Sequence, residues 1–233
     1  MKKLLALLPL IGAFALVGCA DNADGSDEPQ NEESGEAATL EKNKSEIQSK
    51  LEELGANGIE ISFEVKENGE SKRVGTVGMK GDYLWDYDGD NKSLYKITTT
   101  SLETFTYNSE NRTFESDGET SWPEEITDPV AYKRDIYSAA LVNFTYANRY
   151  DGLDGFTKVK DTTFLHRSAT EYRYRQGVVG VAYIDYKIVV DKETGMTMYW
   201  SIEAGDYAGD SGSGSYEVKS FKTGEQVTVP AHN

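Results

Sequence analysis

The chain has 233 residues, and its 40 Asp and Glu outnumber its 24 Lys and Arg, giving a formal net charge of −16. That sign excludes nucleic acid as a natural partner, because such binding rests on cationic neutralisation of phosphates. A single cysteine excludes an intramolecular disulfide and a cysteine-held metal cluster, so stability must come from a packed core.

The chain opens with Lys2 and Lys3 followed by an apolar run from Leu4 to Val17. This is signal-peptide length, short of the roughly 20 residues a membrane span needs. The run ends in Leu16-Val17-Gly18-Cys19, which resembles the lipobox of bacterial lipoproteins. That resemblance implies diacylglycerol on the Cys19 thiol, cleavage after residue 18 and acylation of the new amino terminus. Two or three acyl chains anchor firmly, at about 0.8 kcal/mol per buried methylene. The mature protein is therefore expected on the extracytoplasmic face of a membrane, at the cell surface or on the periplasmic side.

Residues 19–39 follow as a lipidated cysteine and a tether. Asp21, Asp24, Asp27, Glu28, Glu32, Glu33 and Glu36 lie here without a Lys or Arg, so the segment lacks the apolar surface to fold. Residues 40–233 are expected to form one domain.

Leu40, Ile47, Leu51 and Leu54 share a helical face, with Thr39 as the cap, Glu46 and Lys50 paired, and Gly55 at the end. Ile59, Ile61, Phe63 and Val65 then alternate with polar residues as a strand, and Asn68-Gly69 marks a tight hairpin. Strands follow at 73–79, 83–87, 94–99, 103–107 and 112–115. Asp128-Pro129 starts a second helix, with Val130, Ile136, Tyr137, Ala140, Leu141 and Phe144 near helical spacing. A second group of strands carries Tyr172 and Tyr174, then Ile184 to Val190, then Met196 to Ile202, with Asp191–Gly195 as a turn. A last pair, 216–221 and 226–229, closes around Thr223-Gly224. Helix, meander, helix, meander is an α+β order.

The stretches MKGDYLWDYD (79–88), VDKETGMTMYW (190–200) and SYEVKSFKTG (215–224), with this order of elements, resemble bacterial lipoproteins of the LolA/LppX type. The resemblance implies an incomplete, strongly curved antiparallel barrel with the two main helices packed on its concave side. It also implies shelter there for a lipid-like ligand.

The residues predict no enzyme. His166 and His232 are the only histidines, and no Gly-x-Ser-x-Gly elbow, phosphate loop or His-Glu-x-x-His helix is present. Asp86, Asp88 and Asp90 begin like a calcium loop, but Asn91 replaces the turn glycine and Ile97 the closing glutamate, so no metal and no cofactor is expected. The 15 Tyr, 8 Phe and 3 Trp are the remaining lead. Strand phase and helix face nominate Trp85, Tyr87, Trp122, Phe144, Met198 and Trp200 as ligand-binding residues. The expected function is a lipid-anchored, non-enzymatic carrier of a hydrophobic or amphiphilic ligand. The alternative is an envelope interaction or adhesion module working through exposed loops such as 205–214, its protein partner unspecified.

Overall fold

In β1 (Ile59–Glu67) Ile59, Ile61 and Phe63 are buried while Glu60, Ser62 and Glu64 are half-exposed, as the period of two dictates. The computed structural model describes residues 44–124, 126–142, 155–178, 182–205 and 211–233. The signal segment, Cys19, the tether, Phe144 and residues 206–210 lie outside these.

Asn68 and Gly69 both take positive φ, as the hairpin signal requires, and lead into β2 (Glu70–Lys80). The chain continues through β3 (Tyr83–Asp88), β4 (Asn91–Ile97), β5 (Ser101–Asn108) and β6 (Thr113–Ser121), every pair antiparallel. After a helix come β7 (Thr157–Phe164), β8 (Arg167–Val178), β9 (Ala182–Asp191), β10 (Thr197–Gly205) and β11 (Ser211–Thr223). The two meanders join because β11 pairs with β1, giving one eleven-stranded sheet in the order β6-β5-β4-β3-β2-β1-β11-β10-β9-β8-β7.

This corrects the expected α+β half-barrel with two main helices on its concave side. Strands dominate the described residues, which hold two short α-helices, and the sheet does not close. The helices are short, α1 being Lys44–Asn57 and α2 Pro129–Val142. Helix α1 meets the sheet at β2, where Gly55 lies against Met79 so closely that a Cβ would stand 2.7 Å from its sulfur. That packing explains why Gly55 sits inside the helix rather than ending it. The end comes at Gly58, whose φ of +116° and N–H donation to the Leu54 carbonyl (2.7 Å) close the last turn. Helix α2 starts as expected: the Asp128 side chain accepts from the Ala131 N–H at 3.0 Å. Lys50 pairs with Glu53 and Glu193.

The expected strand at 226–229 is also corrected. Gly224–Gln226 is a 3-10 turn, after which the tail leaves β11. The tail crosses to β6, where the Phe114 N–H donates to Ala231 and the Asn233 N–H to Phe114, both at 2.9 Å.

The first half of the sheet buries apolar side chains on both faces, with Leu84, Ile97 and Leu102 on the side opposite Trp85. On one face, Trp85, Leu94, Phe105 and Phe114 of β3–β6 cluster with Val227 of the tail, flanked by Tyr83, Tyr87, Tyr107 and Val229. On the other, Ile59, Ile61, Phe63, Val77 and Met79 continue into Val218, Tyr216, Trp200 and Ile188. Two glycines of β2 make this possible. A Cβ on Gly78 would lie 2.2 Å from the Trp85 ring, and one on Gly75 would lie 2.6 Å from the Phe63 ring on the opposite side. Neither ring is a flexible chain end that swings clear. Gly78→Ala is therefore expected to cost about 1–3 kcal/mol by overpacking Trp85, read as a lowered urea midpoint at unchanged m; an unshifted midpoint contradicts this packing.

Candidate functional site

A single cross-strand rung runs through six strands on the Trp200 side: Tyr172, Ile188, Trp200, Tyr216, Val65 and Arg73. Each pair in it is directly opposed, so the side chains stand on one face. At about 4.8 Å per strand the five steps span about 24 Å, against the roughly 15 Å one lipid leaflet's chains occupy. Tyr172, Ile188, Trp200 and Tyr216 are all buried. The neighbouring rung thickens the aromatic band. Tyr186 stacks on Trp200 with centroids 6.0 Å apart, Phe156 meets Tyr186 and Tyr174 at 5.7 Å each, and Phe63 tilts against Tyr216 at 5.6 Å.

The band ends in charge. The Arg73 guanidinium lies 5.3 Å over the centre of the Phe63 ring, and its Nε stands 3.0 Å from Asp88 Oδ2. Phe63, Gly75 and Asp88 share a rung, and Ile61, Val77, Asp86 and Ser93 share the next. Asp86 is thus a carboxylate set into an apolar rung. It is 8% exposed, and its Oδ1 is buried without a hydrogen-bond partner. Burial pushes its carboxyl up to about 6, with Arg73 pulling the other way and Asp88 adding to the rise.

The six residues nominated from sequence divide between places. Trp200 belongs to the band, and Met198 is buried on β10 where its register with β9 shifts. Trp85 and Tyr87 face the other way, Trp85 donating to Glu60 Oε2 at 3.2 Å and Tyr87 lying parallel to Phe114 at 6.2 Å. Burial first, then Glu60 and Tyr107, push the Tyr87 hydroxyl up to about 12. Trp122 packs edge-on against Tyr132 of α2 and donates to the Thr98 carbonyl at 3.1 Å. Phe144 is outside the described residues. Sequence reasoning did not nominate Tyr186, Tyr216, Phe63 or Arg73, and weighed Asp86 only as the start of an incomplete calcium loop. One signal was present for the last: Asp86 occupies the strand phase of Leu84, which alternation assigns to a dry face.

The acidic triplet is split. Asp86 and Asp88 share the Arg73 face, and Asp90 sits exposed in the turn with Gly89. His166 lies in the β7–β8 turn with positive φ. The His232 Nε2 is 3.1 Å from the Tyr83 hydroxyl on the tail-covered face.

No family model matches this chain, and no curated protein does. Among solved structures it is similar to MucB (10% identity, TM-score 0.31, covering 79% of this chain and 62% of that one). It is likewise similar to the Pseudomonas aeruginosa MucA/MucB complex (11% identity, TM-score 0.32, 79% and 58%). A third likeness is to a putative outer membrane lipoprotein-sorting protein domain from Vibrio parahaemolyticus (11% identity, TM-score 0.24, 78% and 93%). The chain spans about three-fifths of the MucB structures it matches. Likenesses this distant carry no argument about function, which rests on this chain's own geometry.

Proposed function

We propose that this chain is a lipid-anchored, extracytoplasmic, non-enzymatic binding protein that holds a hydrophobic or amphiphilic ligand along the Trp200 band. The observation that carries this reading is the six-strand rung from Tyr172 to Arg73, apolar along its length and charged at one end. A ligand with an acyl chain and a polar head matches that strip in polarity, and the strip is longer than one such chain. The anchoring part of the reading is supported by the lipobox at residues 16–19.

The test uses a hydrophobic naphthylamine reporter displaced by added phospholipid. Trp200→Ala is expected to weaken reporter binding at least about tenfold, a loss of roughly 1.4 kcal/mol or more, while Tyr107→Phe on the opposite face leaves it unchanged. Equal affinity in Trp200→Ala and the parent, or no binding by the parent, contradicts the reading and favours an interaction module acting through loops. For the anchor, Cys19→Ser is expected to release the protein from membranes or leave an unprocessed precursor, read by fractionation and mass; unchanged retention of a processed form contradicts it.

A further inference from the structure

The sheet has two margins, and the chain treats them differently. At β6 the tail adds itself to the edge: the Phe114 and Ser116 N–H groups donate to the Ala231 and Asn233 carbonyls at 2.9 and 3.3 Å. At β7, no strand among the described residues pairs with the outer side. A bare edge is a row of backbone donors and acceptors that templates another strand. On and beside it stand Val159 and Leu165, 48% and 40% exposed.

The edge is partly blunted by Lys160 and by a bulge between Lys158 and Lys160. Past the bulge, residues 160–164 pair with β8 without a break, Lys160 opposite Glu171 through Phe164 opposite Arg167. That regular stretch is what a further strand can use, and its centre is Thr162. Its charges decide the partner. In an antiparallel pair related by a two-fold axis, one residue opposes its own copy, and the residues flanking it oppose each other. Centring the axis on Lys160 or on Asp161 sets like charge against like charge, which is unfavourable. Centring it on Thr162 sets hydroxyl against hydroxyl, Asp161 against Thr163, and Lys160 against Phe164. No like charges meet, and Val159 is brought toward Leu165 of the second copy.

We propose that β7 is a self-association edge, on which a second copy of this chain adds its own β7 antiparallel about Thr162 and extends the sheet across a two-fold axis. This is independent of ligand carriage. A single strand pair falls below the roughly 1,000 Å² of a stable complex, so the dimer is weak and forms as concentration rises.

The experiment is analytical sedimentation of the full chain carrying Cys19→Ser over about 10 µM to 1 mM, with circular dichroism confirming the fold. The parent is expected to pass from monomer toward dimer across that range. Thr162→Lys and Thr162→Asp each set a charge against its own copy at the axis and are expected to stay monomeric, while their equimolar mixture dimerises again. Association through the N-terminal apolar run would persist in the single variants, which tells it apart from pairing at β7. A parent that stays monomeric to about 1 mM, single variants that dimerise as the parent does, or a mixture that stays monomeric overturns the pairing about Thr162.

Discussion

Arg167→Ala is expected to be among the most destabilising single substitutions in this chain, at about 3–5 kcal/mol, because it strands a buried charge. Asp191, at the end of β9, is 1% exposed. Arg167 grips it with two bonds, Nε to Oδ1 at 2.8 Å and Nη2 to Oδ2 at 3.1 Å. Thr194 adds its N–H and hydroxyl to Oδ2 at 2.8 and 2.7 Å, fixing the β9–β10 turn. The guanidinium also reaches Glu193 at 2.8 Å and lies 4.4 Å over the Phe221 ring of β11. One side chain therefore ties the β7–β8 end, the β9–β10 turn and β11. Removing it leaves Asp191 bonded to Thr194 but electrically uncompensated. For a domain of this size the loss corresponds to a fall in Tm on the order of 10 °C. Arg167→Lys keeps the charge without the fork and is expected to recover only part of the loss. A Tm within about 2 °C of the parent for Arg167→Ala contradicts the structural role assigned to this pair.

The second large effect is a stability that falls as pH rises. The folded-state Asp86 carboxyl titrates near 6, above its ordinary 3.8, so between these values the folded chain holds a proton that the unfolded chain has released. Stability from this group is complete below about pH 4 and is lost as pH rises through 6. Every tenfold gain in proton affinity on folding is worth about 1.36 kcal/mol, and with solvent screening allowed for, the loss is about 2 kcal/mol. Asp185 and Asp161 act with the opposite sign in a different window. Arg173, followed by Arg175, holds Asp185 at about 2, and Lys192 and Lys158 hold Asp161 at about 2. Their contribution is present above 3.8 and lost as pH falls toward 2. Urea midpoints measured at about pH 4.5 and 7 are expected to show the parent losing more stability over that interval than Asp86→Asn. Equal pH dependence in the two chains contradicts the buried, raised carboxyl.

Local chemistry was legible wherever a residue's own backbone preference decides the outcome. Asn68-Gly69 requires positive φ at both positions, and Asp128 before Pro129 caps a helix; both stand where the sequence puts them. The strand at 157–164 was not legible, since Thr157, Lys158, Lys160, Asp161, Thr162 and Thr163 offer no dry phase to detect. Gly55 reads as a helix stop by composition and is kept inside the helix by its contact with Met79, a tertiary effect that propensity does not contain.

The candidate site failed in sequence for a reason of the same kind. Trp85 and Trp200 both lie on alternating strands, so phase alone nominates each. Their faces differ because the phase is handed from β3 to β10 through the β2–β1 and β1–β11 registers, with bulges on the way. A one-residue change in any of these registers exchanges the faces. Only the assembled sheet places Trp200 with Tyr216, Phe63 and Arg73, and Trp85 with Phe114 and the tail.

The most direct test of ligand carriage is organic extraction and native mass spectrometry of the full chain isolated from its own envelope, beside Trp200→Ala isolated in the same way. A non-covalent amphiphile present at about one per chain in the parent and depleted in Trp200→Ala is the predicted result. A folded parent that arrives empty and takes up no added amphiphile contradicts the account.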